Sequence, residues 1–233
     1  MTDEHRSVRT KAWGVGVTVG TYGFGFGALA VANGFSVAQA IALSLLVFTG
    51  ASQFALVGVV GAGGAASGAA AALALGSRNA FYGLRLAPLL DVRGWRRLAA
   101  AQLTIDESTA VAISQRTHRL ARTGFWTTGI AVFICWNAAT AAGALAADQI
   151  SDPKVIGLDA AVGAAFLALL WPQLTTTTTR AVAAGATVLA LALTPVLPAG
   201  IPVLAAAAVA LVVAWPGPHG APTSSATPGA RHE

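Results

Sequence analysis

The chain has 233 residues, of which 55% are hydrophobic and 10% charged, with a mean hydropathy of +0.68. A soluble domain carries about 25% charged residues, so this composition excludes a water-facing surface and gives an all-α, polytopic helical membrane protein in a single domain. The net charge of +5 falls in short clusters between apolar runs, with no basic helix and no aromatic-interleaved basic patch. That pattern belongs to membrane loops and argues against a nucleic-acid partner.

A membrane-spanning helix needs roughly 20 mostly apolar residues. Runs of that kind are predicted at 12–33 and 37–60. An Ala- and Gly-rich stretch, 65–88, follows and is polar near Ser77 to Asn79. Next comes "LAAAQLTIDESTAVAIS", 98–114, and then clearer spans at 125–147, 155–170, 180–193 and 201–215. The start is read as a first transmembrane helix rather than a cleaved signal, because no small-residue cleavage pattern closes its apolar run. The expected division is a cytoplasmic tail over 1–11, a transmembrane domain over 12–215 and a disordered cytoplasmic tail over 216–233, rich in Pro, Gly, Ser and Thr.

Charge orients these segments. Basic clusters stand at Arg6, Arg9 and Lys11, at Arg93, Arg96 and Arg97, and at Arg116, Arg119 and Arg122. The loop with Asp148, Asp152, Lys154 and Asp159 is acidic. Basic loops stay cytoplasmic, yet two basic clusters flank 98–114 and a single crossing cannot satisfy both. Either 98–114 dips in and returns, or 65–88 does not cross simply. Six or seven crossings are expected, with both tails cytoplasmic and at least one broken or re-entrant segment. Irregular backbone at membrane depth needs protein or a water-filled cavity around it, so the middle third is where function is sought.

Several chemistries lack their parts. The only lysines, Lys11 and Lys154, do not sit in a phosphate-binding loop. His5, His118, His219 and His232 form no His-x-x-x-His pair, and Cys135 stands alone in "VFICWNA" as a core thiol. No Gly-x-Ser-x-Gly elbow occurs. No enzyme activity, cofactor or metal is expected.

Polar residues inside the apolar runs remain. "TYGFGFG" in the first helix reads as close helix packing or as unwound backbone open to a substrate. In "FTGASQFA", Ser52 and Gln53 interrupt an apolar helix, either as an interhelical hydrogen bond or as a helix break that offers backbone groups. In "GSRNAFYGLRLAPLL", a helix would align Arg78, Tyr82 and Arg85, with Pro88 ending or kinking it. Arg85 can snorkel to the Arg93 cluster, leaving Arg78 deep. The run Thr175 to Thr179 reads as a solvated loop.

Asp106 and Glu107 are the most unusual pair, since a carboxylate at the centre of a spanning helix costs about 2.5–3.5 kcal/mol. A continuous helix would place Asp106 with Gln102 and Thr109, and Glu107 with Leu103 and Val111 about 100° away. Asp106 is then the permanent anion, facing Arg78 or a substrate ammonium, and can also take part in proton coupling. Glu107, on the drier face, is the proton-exchanging group. The bland alternative lays the segment on the cytoplasmic surface, with both acids in water.

Taken in order, "SLLVFTGASQFALV", "SRNAFYGLRLAPLL", "LTIDESTAVA" and "GLDAAVGAAFLALLWPQL" resemble the AzlC family of branched-chain amino acid permeases, over about 15–215. The resemblance implies the large subunit of an exporter for leucine, isoleucine or valine in the bacterial plasma membrane, paired with a small membrane protein of the AzlD type. With the residues above, it implies substrate binding by Ser52, Gln53, Arg78, Asn79, Tyr82 and Asp106, and proton coupling by Glu107 and Asp106. Thr21 to Gly23 stand where the family often has a proline, and Asn79 where it often has a histidine. The alternative is a membrane scaffold that transports nothing. Transport requires a polar cavity lined jointly by Gln53, Arg78 and Asp106, whereas a scaffold leaves those groups dry and mutually satisfied.

Overall fold

The computed structural model describes residues 3–150, 167 and 170–214. The expected span 155–170, most of the acidic loop and the tail 216–233 lie outside the described residues. Within them every regular element is helical. Two helices are long and apolar enough to cross a membrane, α1 (Asp3–Ala32) and α8 (His118–Asp148). Residues 3–11 of the expected tail are helical and continue into the rest of α1.

α1 and α8 form the axis and run parallel. His5 Nδ1 meets Thr123 Oγ1 at 3.1 Å near their starts. Further along, Gly16 packs on Ala131, Gly20 on Cys135 and Gly27 on Thr140. A Cβ on Gly16 would stand 2.6 Å from that of Ala131, so the glycines are what let the two backbones approach. "TYGFGFG" is therefore continuous packed helix and not an unwound segment.

Between these helices the chain makes two half-depth hairpins from opposite ends. The first comprises α2 (Val37–Leu46) and α3 (Gly50–Gly61). It leaves the far end of α1, and Ser44 Oγ donates to Thr140 Oγ1 at 3.3 Å. Phe48 then packs on Phe133, nearer the start of α8. The chain turns at 47–49 and comes back: Phe54 packs on Phe26, and Gly61 lies against Asn33 at the end of α1. At 1.5 Å per residue, α2 and α3 are roughly 15 and 18 Å long, half of a hydrocarbon core of about 30 Å. The run 37–60 is thus not the simple crossing expected from its length.

α4 (Ala65–Gly76) and α5 (Arg78–Leu90) meet at Ser77 and together carry the chain to the opposite end. There Arg122 Nε donates to the Leu89 carbonyl at 3.1 Å, and its guanidinium lies 3.9 Å from Asp91. Pro88 falls inside the last turn of α5, which closes on Asp91 at φ 46°.

The second hairpin is α6 (Trp95–Gln102) and α7 (Asp106–Ile113). It starts beside Arg122, brings Leu103 against Gly129 and returns with Val111 against Gly124. This resolves the charge conflict, because 98–114 dips in and comes back to the end it left. All three basic clusters lie at that one end. The helical alignment expected through the acidic pair fails for a physical reason. Residues 103–105 are not helical, so Gln102 and Leu103 share no helix face with Asp106 and Glu107. Asp106 to Thr109 and Glu107 to Val111 keep their spacing within α7.

The remaining described elements are a 3-10 turn at Trp171–Gln173, α9 (Thr177–Leu193) and α10 (Ile201–Ala214). The threonine run is only partly loop. Thr176 accepts from the Thr179 N–H at 3.1 Å and caps α9.

Candidate functional site

The hairpin tips touch at mid-depth, where Gln102 Nε2 donates to the Leu45 carbonyl at 2.9 Å. Both tips are helix breaks, and each resumes as a helix whose N-terminus faces one cavity of about 510 Å³. Thr49, Gly50 and Ala51 reach it from the first tip, and Ile105, Asp106 and Glu107 from the second. Arg78 and Tyr82 enter from α5, Val19 and Tyr22 from α1, Val132 and Trp136 from α8, and Gln173 from the 3-10 turn.

Each broken tip is held by a buried side chain. Gln53 is fully buried. Its Nε2 donates to the Val47 carbonyl at 2.7 Å and lies 3.4 Å from those of Leu43 and Ser44, the carbonyls at the end of α2; those of Leu43 and Val47 also accept from the Val47 and Thr49 N–H groups. Its Oε1 accepts from Trp136 Nε1 at 3.1 Å. In the second tip, Ser108 Oγ donates to the Leu103 carbonyl at 2.6 Å and accepts from the Ile105 N–H at 3.1 Å. These bonds satisfy backbone that would otherwise be stranded in a medium without water.

The charges sit at the start of the resumed helices. Arg78 opens α5 and Asp106 opens α7, and they pair with N···O 2.7 Å. The pair is one-pronged, with one guanidinium nitrogen on one carboxylate oxygen. Arg78 Nε and Asp106 Oδ1 are buried without a hydrogen-bond partner among the described residues. Tyr82, one turn beyond Arg78, neighbours the same carboxylate. Asp106 and Glu107 lie in the first turn of α7, where the partial positive charge of a helix N-terminus favours anions. Thr49 makes no side-chain cap to α3, so the first amide groups of α3 face the cavity uncapped. Glu107 and Asp106 line the cavity, with the Asp106 side chain 43% exposed, and their neighbours Ile105 and Ser108 are buried, which favours a placement inside the bundle over one flat on its surface.

The residues singled out from sequence divide. Arg78, Tyr82, Asp106 and Glu107 come together on the cavity. Gln53 is behind its wall as a brace, and Ser52 is buried against Gly76, its hydroxyl without a partner among the described residues. Asn79 faces a different cavity across α5. Arg85 continues the Arg78 and Tyr82 stripe along α5 but is exposed and lies outside the cavity lining. Sequence reasoning missed Trp136 and Gln173, whereas the backbone of Thr49 to Ala51 falls in the helix break that "FTGASQFA" offered. Gln173 carried a signal, as a polar residue after a proline in an apolar run. Trp136 carried none. Among the described residues, no cluster of His, Cys, Asp and Glu could hold a metal ion.

The AzlC protein family matches residues 14–150, which include both hairpins and α5. The chain belongs to the AzlC family. It is also 34% identical over 197 residues to an uncharacterized membrane protein of Archaeoglobus fulgidus, across 83% of this chain and 87% of that protein. No solved structure matches the chain. AzlC membership carries a membrane transport-related role and places Arg78, Tyr82, Asp106 and Glu107 inside the matched segment.

Proposed function

We propose that this AzlC protein is the large subunit of an exporter for amino acids with branched apolar side chains, coupled to a proton or ion gradient. The observation that carries this reading is the one-pronged Arg78–Asp106 pair at the meeting of two half-depth hairpins. A zwitterion needs a cation and amide donors for its carboxylate, and an anion for its ammonium. The unengaged Arg78 Nε and the uncapped start of α3 suit the first. Asp106 Oδ1 suits the second. Val19, Phe48, Ile105 and Val132 give the apolar side chain its walls. Intramembrane carboxylates and broken helices recur in ion-coupled transporters for these reasons.

In this reading Asp106 binds substrate while Glu107 exchanges the proton. The basic end faces the cytoplasm of a plasma membrane, and a small membrane protein of the AzlD type completes the complex. The scaffold alternative draws support from Gln53, which is dry and satisfied as a scaffold requires. Arg78 and Asp106 meet the transport criterion instead, because they line the cavity and leave polar atoms unpaired. The test is efflux of labelled leucine, isoleucine and valine from cells carrying the protein with its partner. Asp106→Asn should abolish efflux. Glu107→Gln should weaken its dependence on the proton gradient while amino acid exchange persists. Unchanged efflux in Asp106→Asn would leave the scaffold reading standing.

A further inference from the structure

A second cavity, of about 640 Å³, lies on the face of α5 opposite Arg78 and Tyr82. One wall is α5, through Gly83, Ala87 and Leu90. The other is α6, through Ala100 and Ala101. The two helices are joined by residues 91–94, with Asp91 at φ 46° and Gly94 at φ 56°, and make almost no contact with each other. The space between them is an open slot, and a Cβ added to Gly83 would meet nothing within 4 Å. Leu84 on its rim is 74% exposed, as is Leu98 of α6 nearby in sequence. The slot therefore opens sideways, where an apolar helix face meets lipid.

Its mouth is cationic. Arg93 and Arg97 line it at the end where all three basic clusters lie, and both are exposed. The carboxylate at the mouth, Asp91, faces Arg122 at 3.9 Å. Two polar side chains also line the slot: the Thr104 hydroxyl donates to the Ala100 carbonyl at 2.8 Å, and Asn79 Oδ1 is buried without a partner among the described residues. A slot with mostly apolar walls, capped by two guanidinium groups at the membrane surface, matches an amphiphile with an acyl chain and an anionic head.

We propose that this slot binds one anionic phospholipid from the leaflet at the basic end, with its phosphate on Arg93 and Arg97 and an acyl chain between α5 and α6. An apolar helix from a partner protein would fill the slot but leave both guanidinium groups without an anion, so charge complementarity selects the lipid. The lipid would support the back of the helix whose front carries Arg78 and Tyr82. The binding does not depend on what the chain transports.

The test is native mass spectrometry of the full chain in neutral detergent, titrated with phosphatidylglycerol, phosphatidylcholine and glycerol 1-phosphate. Phosphatidylglycerol should bind more tightly than phosphatidylcholine. The Arg93→Ala/Arg97→Ala double variant should lose ~30-fold, at roughly fivefold per arginine. Arg93→Lys/Arg97→Lys should keep the binding, as should Arg116→Ala/Arg119→Ala at the same end outside the slot. Ala87→Trp should fill the slot and weaken phosphatidylglycerol. Equal affinity for the two lipids, or unchanged binding in the double alanine variant, would overturn the proposal. Competition by glycerol 1-phosphate at the same affinity as the lipid would reduce the site to an anion site and also overturn it. So would an Ala87→Trp variant that releases a membrane protein partner while lipid binding stays the same.

Discussion

Gln102 and Leu45 are 57 residues apart in sequence, and the amide of one donates to the carbonyl of the other at 2.9 Å. This contact joins the tips of two hairpins that come from opposite ends of the bundle, and the candidate site lies beside it. In a Cys135→Ser background, Leu45→Cys with Gln102→Cys should join rapidly through a short bifunctional thiol reagent. Pairing Gln102→Cys with Leu56→Cys, further along α3, should not. The reverse pattern would mean that 37–61 crosses as a single helix.

Gln53 is expected to matter for stability more than for substrate contact. Gln53→Leu leaves Trp136 Nε1 buried and unpaired, at about 1–3 kcal/mol, and takes the amide away from the Val47 and Ser44 carbonyls. Thermal unfolding in detergent should show a clear loss for Gln53→Leu, while folded protein keeps its substrate affinity to within a few-fold. A variant with native stability and no substrate binding would move Gln53 into the site.

Arg78 should resist replacement by lysine. Its contact with Asp106 uses one nitrogen, and its buried Nε is the group left for a ligand. A lysine can keep the first interaction but cannot present the planar fork. Arg78→Lys should therefore lose about tenfold or more in apparent substrate affinity, about 1.4 kcal/mol, with little change in unfolding temperature. Arg78→Ala should lose both.

The axis of the fold gives a prediction independent of function. A Cβ on Gly27 would collide with the Thr140 carbonyl oxygen, whereas a Cβ on Gly25, two residues away, meets nothing within 4 Å. Gly27→Ala should destabilise by about 1–3 kcal/mol, as overpacking does. Gly25→Ala should be neutral or slightly stabilising, because alanine is the better helix former. Equal unfolding temperatures for the two variants would contradict the packing of α1 on α8.

These particulars show what a single sequence reveals in a membrane protein. Asp106 and Glu107 pointed to the site because carboxylates in an apolar run need a reason. The flanking arginines pointed to a returning segment because both flanks belong at one membrane surface. The first hairpin was only half legible, since 25 mostly apolar residues are equally one full helix or two half-length ones and no charge marks the turn, although Ser52 and Gln53 offered a helix break. Gln53 stands behind the wall, in the interhelical hydrogen bond that was one of its two readings, and the choice between them was hidden for a related reason. An amide in an apolar helix must find partners, but only the break at 47–49 creates the carbonyls it satisfies. Trp136 gave no signal because its role depends on that same amide.

The measurement that tests the central claim most directly is thiol labelling of Ala51→Cys in a Cys135→Ser background, with and without leucine. Ala51 lies at the uncapped start of α3 on the cavity. If the hairpin tips hold the substrate, leucine should slow labelling, glycine should slow it far less, and adding Asp106→Asn should remove the protection. Labelling at the same rate with and without leucine, in folded protein with Asp106 intact, would contradict a substrate site at the hairpin tips.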